Sequence, residues 1–453
     1  MNHLLEVHLP TLWRVARKNG WTAYLVGGFP RDQILGISSD EADVVALEGR
    51  GVDLARAFAA EVGGGQPMIF PRFGTAHFRT PNGALFEFVS ARSERYTQDT
   101  RKPEVATAEI AADVWRRDFT VNTLLLDADN KLIDLTGMGI SDLNAKVLRT
   151  PSDPASAFDE DPLRMLRAAR FVAQLGLLPA DGLALAISRK AERIKPPVVS
   201  VERVTEELKR LLRARHPEPG LRLAMDTGIL GQLIPELESC RGIGIGGYHD
   251  RDVWEHTVAV VDGSPADLVT RLAALLHDIA KPVTQDPLGQ RPLFKDHERV
   301  GAQMAEAIVH RLRFSTDECR RVRRLVELHL RPVFLEPSAK DAAVRRLMRA
   351  ADEDLGRLMD LAQADIEASA YPDIDKTRRL RARMEELGQQ RVRQLACPLN
   401  GHELMGLAGL PAGPWIHRAK QAILEAIIED EIGDTKADAL TYLSSHPELL
   451  ESR

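Results

Sequence analysis

The sequence predicts an α/β domain at its N-terminal end, followed by a longer stretch of chain that is mainly helical. Short apolar runs predict strands at 23–27, 42–47, 76–79 and 84–89. Helical periodicity predicts amphipathic helices at 4–19, 31–36 and 52–62. These elements form a small unit with one mixed sheet. The 453 residues exceed the size of one domain, and we expect about three or four.

Composition and charge narrow the class of protein. The chain is 44% hydrophobic and 28% charged, which is ordinary for a globular protein. Its net charge of −6 argues against a protein that coats nucleic acid indiscriminately. One stretch differs, because nine Lys and Arg residues but only four acids lie between Arg189 and Arg215, a local charge of +5. This stretch modestly favours contact with a phosphate backbone over the alternative of a solvated helix face.

The cellular compartment is predicted from what the sequence lacks. It contains no apolar run of the length that crosses a bilayer, and Met1-Asn-His-Leu-Leu-Glu does not resemble a signal peptide. The three cysteines, Cys240, Cys319 and Cys397, are scattered, which argues against a disulfide framework or a cysteine-based zinc site. We therefore expect a cytoplasmic protein that has no membrane partner.

The most informative stretch is a Gly-Gly turn followed by a pair of acids. An apolar strand leads into Gly27-Gly28, and the next strand carries Glu41 and Asp43. Glycines let a phosphate approach the backbone, and the helix that follows points its free N–H groups at it. Because strand side chains alternate, both carboxylates leave the same face of the sheet. Paired carboxylates opposite a phosphate site suit Mg²⁺ bound to a nucleoside triphosphate.

A third candidate acid follows Glu41 and Asp43 in the sequence. Asn82-Gly83 is a hairpin signal, and in the strand after it Glu87 alternates with two phenylalanines. Glu87 is thus a candidate third acid, although an exposed strand glutamate is an equal alternative.

Residues 92–105 are polar and rich in turn formers, which predicts a mobile loop. After it, Arg117 is a candidate phosphate ligand, and Asp118 and Asn122 are candidates to bind a ribose.

A row of charged residues follows at a spacing of three. It consists of Asp161, Arg164, Arg167 and Arg170. Such a row is often a solvated helix face, but an acid three residues before an arginine has a specific use. Cytosine and adenine both present an amino donor beside a ring-nitrogen acceptor, so Asp161 and Arg164 match them and mismatch guanine and uracil.

These motifs resemble the bacterial, class II branch of the tRNA nucleotidyltransferases, the CCA-adding enzymes, which are close relatives of bacterial poly(A) polymerases. The resemblance spans roughly residues 20 to 240. It rests on Gly-Gly-x-x-Arg-Asp, Glu-x-Asp, Arg-Arg-Asp-Phe-Thr-Val-Asn and Glu-Asp-Pro-Leu-Arg-Met-Leu-Arg-Ala-Ala-Arg-Phe.

The resemblance implies a role for each motif. Gly28 and Arg31 would bind the triphosphate, Glu41 and Asp43 would bind Mg²⁺ with Glu87 assisting, and Arg117 with its motif would handle the sugar. Asp161 and Arg164 would act as an amino-acid template for the incoming base, with Arg167 and Arg170 orienting that pair. The implied partners are tRNA, ATP and CTP. Two positions depart from the family pattern: Glu41 replaces the usual aspartate, and Pro30 replaces a small aliphatic residue.

A second resemblance covers the middle of the chain. Histidines and aspartates on separate predicted helices are similar in order to the HD phosphohydrolase superfamily. By that match the ligands are His256, His277, Asp278 and Asp365, and His297 and His329 would hold a second metal. The implied chemistry is a metal-activated attack of water on a phosphate ester, with Mn²⁺, Ni²⁺ or Fe²⁺ as candidate ions.

The predicted architecture is a polymerase-beta-like nucleotidyltransferase head (1–150), an all-α neck for base recognition and RNA binding (151–240), an HD domain (241–372) and a helical tail (373–453). The predicted activity is transfer of CMP and AMP to a tRNA 3′ end without a nucleic-acid template. The alternatives are a CC-adding or A-adding enzyme or a poly(A) polymerase of the same family, a metal phosphohydrolase with a nucleotide-binding head, and a non-catalytic tRNA-binding protein. Arg101 and Pro103 in the 92–105 loop favour an enzyme that switches from C to A.

Overall fold

The computed structural model describes residues 3–95, 104–107, 110–245, 251–286, 294–388, 392 and 394–451. The chain divides into two compact units. The first comprises Met1–Leu211 and Pro219–Leu233, and the second comprises Leu212–Glu218 and Ile234–Arg453. Among the helices of the described ranges, none combines the length and the apolar character that a membrane span requires.

Among the described residues of the first unit, eleven strands are present. They are β1 (Ala23–Val26), β2 (Glu41–Ala46), β3 (Met68–Phe70), β4 (Thr75–Arg79), β5 (Leu85–Ser90), β6 (Arg92–Arg95), β7 (Glu104–Thr107), β8 (Leu125–Leu126), β9 (Leu132–Ile133), β10 (Val147–Leu148) and β11 (Leu178–Pro179). Seven of them form one sheet in the order β3-β4-β5-β2-β1-β8-β9. The β2 and β5 strands are parallel, whereas β1 and β4 run antiparallel to them, so the sheet is mixed as predicted.

The helices of the first unit surround this sheet and continue beyond it. They are α1 (His3–Glu6), α2 (Leu9–Lys18), α3 (Gly28–Leu35), α4 (Gly51–Val62), α5 (Ile110–Trp115), α6 (Gly139–Ala145), α7 (Pro154–Glu160), α8 (Leu163–Leu175), α9 (Leu183–Lys190), α10 (Val201–Leu212), α11 (Glu218–Asp226) and α12 (Ile229–Leu233). Short 3₁₀ helices occur at Thr120–Asn122 and Ala191–Ile194.

The second unit is helical in its described residues. Its helices are α13 (Pro235–Glu238), α14 (Val253–Gly263), α15 (Leu268–Leu276), α16 (Lys281–Thr284), α17 (His297–Arg311), α18 (Thr316–Leu328), α19 (Leu330–Phe334), α20 (Asp341–Ala351), α21 (Leu355–Ala368), α22 (Lys376–Glu386), α23 (Gly401–Ala408), α24 (Pro414–Ile428) and α25 (Lys436–Ser445). Trp415, in the first turn of α24, is buried and donates its indole N–H to the carbonyl oxygen of Pro411 at 3.0 Å. Packing therefore accounts for this tryptophan.

The two faces of the large sheet have different roles, because strand side chains alternate. One face carries Phe86 and Phe88 of β5, which are fully buried against Phe58 of α4 and the apolar side of α2. The opposite face carries Asp43 of β2 and Glu87 of β5. The alternation of the sequence thus places an aromatic core on one side and the acids on the other.

Three predicted elements differ from the structure. The predicted helix 4–19 is interrupted at residues 7–8, between α1 and α2. Helix α3 begins at Gly28, three residues before the predicted start, because the glycine turn leads directly into it. The predicted mobile loop 92–105 is wrong at its two ends, where β6 and β7 pair antiparallel with Arg92 opposite Thr107. Residues 96–103, including Arg101 and Pro103, lie outside the described residues.

Candidate active site and metal centre

Three acids converge on one face of the head sheet. Asp43 lies beside Glu87 on the parallel neighbour β5, and beside Val26 at the end of β1 on the other side. Glu41 is two residues before Asp43 on β2, and the charge of Glu41 acts on the Asp43 carboxylate. The strand register therefore brings together the three acids predicted from the sequence.

The electrostatics of this cluster favour a bound cation. Burial, together with the negative charges of Glu87 and Glu41, raises the pKa of Asp43 from its usual 3.8 to about 6, although Arg117 opposes this shift. Carboxylate oxygens gathered in this way are the donor set that hard divalent ions prefer. The residues present therefore fit a divalent metal, and Mg²⁺ bound to a triphosphate would relieve their mutual repulsion.

Gly27 brings the backbone turn against this cluster. Its φ of +72° lies in the region that favours glycine, and a Cβ at this position would lie only 2.7 Å from Asp43 Oδ2. The same Cβ would lie 3.3 Å from Arg117 Nη1, whereas a Cβ on Gly28 would meet Arg31 Nη2 at 3.4 Å. The absence of a side chain at Gly27 thus lets Asp43, a candidate metal ligand, and Arg117, a candidate phosphate ligand, both lie close to this turn. The sequence predicted that both glycines admit a phosphate and that Gly28 binds the triphosphate, but it did not predict the contact between Gly27 and Asp43.

Arg31 is held by buried hydrogen bonds. Its Nη1 donates to Asn122 Oδ1 at 2.6 Å, and its Nη2 lies 2.6 Å from Asp32 Oδ1. Burial raises the pKa of Asp32, an effect that the Arg31 charge opposes. Arg31 and Asn122, predicted separately as triphosphate and ribose ligands, are therefore direct partners of each other.

Asp118 joins the sheet domain to α8. Its Oδ2 accepts hydrogen bonds from Arg167 Nε at 2.9 Å and Nη2 at 2.5 Å, and its Oδ1 accepts from Asn122 Nδ2 at 2.9 Å. Burial opposes ionisation, but these donors and the Arg167 charge lower the pKa of Asp118 to about 2. The Asp118 carboxylate thus fixes Arg167 beside the acid cluster, where the Arg167 charge also acts on Asp43.

Glu207 of α10 completes this charged network. Its oxygens lie 3.1 Å from Arg167 Nη1 and 2.6 Å from Arg170 Nε. Phe171 packs beneath the arginines, with the Arg170 guanidinium carbon 4.1 Å from the ring centroid. Sequence reasoning treated Glu207 only as an acid that interrupts a basic stretch. A buried carboxylate shared by two arginines could not be identified without the fold.

The predicted base-template pair lies at the start of α8. Asp161 Oδ1 accepts the backbone N–H of Leu163 at 3.1 Å, and its Oδ2 accepts from Arg203 Nη2 at 2.8 Å. Arg164 donates to the carbonyl oxygen of Arg116, the neighbour of Arg117 in the chain, at 2.5 Å. The row that begins at Asp161 is therefore tied to the segment that contains Arg117 through Arg164, and its Arg167 charge acts on Asp43.

The second unit contains a separate cluster of histidines and aspartates. His277 Nε2 lies 3.4 Å from His256 Nε2 and 3.2 Å from Asp278 Oδ2. On the other side of Asp278, Oδ1 lies 3.4 Å from His297 Nε2 and 3.9 Å from His329 Nε2. Asp365 Oδ1 contacts His256 Nε2 at 3.0 Å. Four helical segments thus direct four histidines toward the central Asp278, and Asp365 contacts one of them, His256.

The hydrogen bonds of these histidines define their ligand atoms. In each of three cases Nδ1 lies 2.7–2.8 Å from the backbone carbonyl three residues earlier, as seen for His277, His297 and His329. Because a carbonyl only accepts, Nδ1 carries the proton and Nε2 presents its lone pair to the cluster. Burial lowers the pKa of His329 to about 3, and the nearby His277 charge adds to this effect. This arrangement orients the Nε2 atoms of three imidazoles toward a metal.

Two overlapping ligand sets share Asp278. The first is His256, His277 and Asp278, and the second is Asp278, His297 and His329; within each set the ligand atoms lie within 4.8 Å of one another. Asp278 Oδ1, His297 Nε2 and His329 Nε2 are buried without hydrogen-bond partners among the described residues. Buried polar atoms of this kind need a ligand, so the site fits one or two divalent ions. Lys281, which the sequence analysis did not single out, adds a cation 2.6 Å from Asp278 Oδ2.

Comparison with protein families agrees with this order of sites. Residues 23–149 match the poly A polymerase head domain, and residues 181–241 match a family described as the probable RNA and SrmB-binding site of polymerase A. Residues 247–369 match the HD domain.

Curated relatives match over nearly the whole chain. The A-adding tRNA nucleotidyltransferase of Deinococcus radiodurans is 33% identical over 427 residues, which cover 91% of this chain and 92% of the relative. The chain belongs to the tRNA nucleotidyltransferase family. Two other members are the CC-adding tRNA nucleotidyltransferase of Thermus thermophilus, 33% identical with 93% of each chain covered, and the Multifunctional CCA protein of Xanthomonas campestris, 31% identical with 88% and 97% covered.

Solved structures of this family share the fold. The Bacillus stearothermophilus CCA-adding enzyme in complex with CTP superimposes with a TM-score of 0.71 at 20% identity, covering 97% of this chain and 96% of that one. The Thermotoga maritima CCA-adding enzyme complexed with tRNA gives a TM-score of 0.59 at 18% identity, with 97% and 94% covered. The predicted fold class, a nucleotidyltransferase head followed by helical domains that include an HD domain, is confirmed, and so is the predicted enzyme class.

Proposed function

We propose that this nucleotidyltransferase adds CMP and AMP to the 3′ end of tRNA from CTP and ATP, without a nucleic-acid template. The proposal rests above all on the register that sets Asp43 beside Glu87, with Gly27 and Arg117 against Asp43. Relatives that add A, add CC, or are multifunctional CCA proteins support tRNA as the acceptor.

In the proposed reaction the head residues bind and orient the triphosphate. Asp43 and Glu41, with Glu87 assisting, would hold Mg²⁺, while Arg117 and the Gly27-Gly28 turn would face the phosphates. When bound, Mg²⁺ would favour ionisation of the tRNA 3′-hydroxyl and stabilise the departing diphosphate. The 3′-oxygen forms a bond to the α-phosphorus, the bond from that phosphorus to the bridging oxygen breaks, and diphosphate leaves.

The base is selected at the start of α8. Asp161 would accept the amino group of cytosine or adenine, and Arg164 would donate to the neighbouring ring nitrogen. Arg164 is suited to this role because the carbonyl oxygens of Arg116 and Ala157 already fix its guanidinium. Uracil and guanine present a carbonyl to Asp161 and an N–H to Arg164, so both contacts become unfavourable.

The remaining assignments concern the acceptor, the domains and the compartment. We propose that exposed cations of the neck contact the tRNA backbone, among them Arg189 and Lys195 of the first unit. The division into head, neck, HD domain and tail at residues 150, 240 and 372 is part of the same proposal.

Three free cysteines, two of them buried, suit the reducing cytoplasm, where we place the enzyme.

The decisive experiment supplies tRNA lacking CCA, tRNA ending in C and tRNA ending in CC, each with one triphosphate at a time. We expect CTP to extend the first two acceptors and ATP to extend the third, with little use of UTP or GTP. Addition of A alone or CC alone would identify an A-adding or a CC-adding enzyme, and unlimited A addition would identify a poly(A) polymerase. Equal use of all four triphosphates would contradict the roles proposed for Asp161 and Arg164.

A second activity, hydrolysis of phosphate esters, is proposed for the HD domain. The supporting observation is the pair of ligand sets around Asp278, with three imidazoles oriented by backbone carbonyls. A divalent ion held there would supply an activated water. We favour Mn²⁺, Ni²⁺ or Fe²⁺, because imidazole ligands suit transition metals.

Replacing His277 with alanine separates the two activities. We expect His277→Ala to abolish hydrolysis of bis(p-nitrophenyl) phosphate in the presence of Mn²⁺ or Ni²⁺ and to lower bound metal measured by mass spectrometry. Transfer of CMP and AMP to tRNA is expected to persist. His310, an exposed histidine on α17, provides the control variant His310→Ala. Loss of nucleotidyl transfer in His277→Ala but not in Asp43→Ala would instead favour a phosphohydrolase whose head only binds nucleotide.

A further inference from the structure

Helix α10 contacts both the start and the middle of α8, the helix that carries the proposed base-selecting residues. Arg203 and Glu207 are four residues apart on α10 and therefore lie on one face. Arg203 Nη2 donates to Asp161 Oδ2 at 2.8 Å, and Glu207 contacts Arg167 and Arg170. Asp161 thus receives a partner from outside the motif that contains it.

The two hydrogen bonds to Asp161 fix its carboxylate. Leu163 N–H binds Oδ1 and Arg203 binds Oδ2, so the rotation of the group is restrained from both sides. An ionised carboxylate has about four lone-pair sites, and these two donors leave acceptor capacity on both oxygens in defined directions. A base whose amino group approaches along such a direction is favoured, whereas a carbonyl there is repelled.

We propose that Arg203 is a positioning residue for base selection, and that it makes Asp161 discriminate cytosine and adenine from uracil and guanine. The inference rests on the proposed function, because it assigns the base to Asp161. Arg203 itself is half exposed, with 52% of its side chain accessible. An ion pair as exposed as this one contributes little to folding, so its removal is expected to change selectivity and leave the fold intact.

The test compares kcat/KM for CTP and UTP on tRNA lacking CCA, in the full-length enzyme with Mg²⁺. Since a misplacement of about 1 Å can lower a rate about a hundredfold, we expect Arg203→Ala to reduce the CTP-to-UTP ratio about tenfold. Arg203→Lys, which keeps a donor, is expected to restore part of the ratio. In a double-mutant cycle, Arg203→Ala is expected to leave the CTP-to-UTP ratio of kcat/KM unchanged when it is added to Asp161→Asn.

Arg210→Ala is the matched control, because it removes the same charge from an exposed position on α10. Its CTP-to-UTP ratio is expected to equal that of the wild type, whatever its effect on the KM for tRNA. An unchanged or higher ratio in Arg203→Ala would overturn the inference. If Arg203→Ala turned over neither nucleotide, calorimetric binding of CTP and UTP would decide: a narrowed affinity ratio supports the role and an unchanged ratio contradicts it. Failure of the wild type to extend tRNA would instead contradict the proposed function.

Discussion

Asparagine in place of Asp43 is expected to lower the rate of CMP and AMP transfer by on the order of a thousandfold, because the metal-dependent stabilisation lost is worth several kcal/mol. Asn keeps the shape of the side chain but removes the charge at the centre of the acid cluster. The measurement is single-turnover extension of tRNA by the wild type and by Asp43→Asn at saturating CTP, over a range of Mg²⁺ concentrations.

The same substitution is expected to stabilise the metal-free protein. In the folded state the pKa of Asp43 is about 6, above its usual 3.8, because burial and the neighbouring acids disfavour ionisation. A carboxyl whose pKa is raised by folding contributes favourably to the free energy of unfolding when the pH is below its pKa in the unfolded state. This contribution is lost as the pH rises through its pKa in the folded state. Stability of the wild type at pH 7 should therefore be about 2 kcal/mol lower than that of Asp43→Asn, after allowance for partial exposure.

Urea unfolding at several pH values tests this second effect. The difference between the two proteins is expected to shrink as the pH falls from about 6 to about 4. It is also expected to disappear on addition of Mg²⁺, which would bind only the wild type tightly. Asp40→Asn, which neutralises an exposed acid just before β2, is the control for loss of a negative charge. If Asp43→Asn retained wild-type transfer, the acid cluster would not be the catalytic centre.

Local periodicity was enough to predict the arrangement of the acid cluster. Alternation along β2 placed Glu41 and Asp43 on one face, and alternation with Phe86 and Phe88 placed Glu87 on a polar face. These inferences hold because the period of a strand is two, whatever the tertiary context. Short strands such as β9, with two residues, have too few positions to show a period, and they were missed.

Contacts between distant segments could not be predicted in this way. Arg203 lies 42 residues from Asp161, and Glu207 lies 40 residues from Arg167. No local sequence pattern predicts these two pairs. A charged residue on an amphipathic helix is equally compatible with exposure to solvent and with an ion pair to another helix. The role of Gly27 was missed for a similar reason: its neighbour Asp43 belongs to a different strand. The sequence motifs predict which residues bind the substrate. The tertiary contacts decide which polar atoms of those residues remain free to bind it.

Alanine in place of Gly27 is the second substitution with a large expected effect. At φ +72° and ψ −125° the backbone is unfavourable for alanine, which costs about 1 to 3 kcal/mol. The new Cβ would also lie 2.7 Å from Asp43 Oδ2, so the Asp43 carboxylate must move. Because a displacement of about 1 Å in a catalytic group can lower the rate about a hundredfold, we expect kcat to fall by about that factor. Mn²⁺ affinity, measured by electron paramagnetic resonance, is expected to weaken as well.

Gly36→Ala separates the steric effect from backbone strain. Gly36 has a φ of +67°, but a Cβ there would meet no heavy atom of the described residues within 4 Å. We therefore expect this control to cost about 1 kcal/mol of stability and to leave kcat and Mn²⁺ affinity unchanged. Equal losses of activity in the two variants would mean that strain in α3, which both glycines flank, limits the reaction. A loss confined to Gly27→Ala would show that the reaction depends on the close approach of the turn to Asp43.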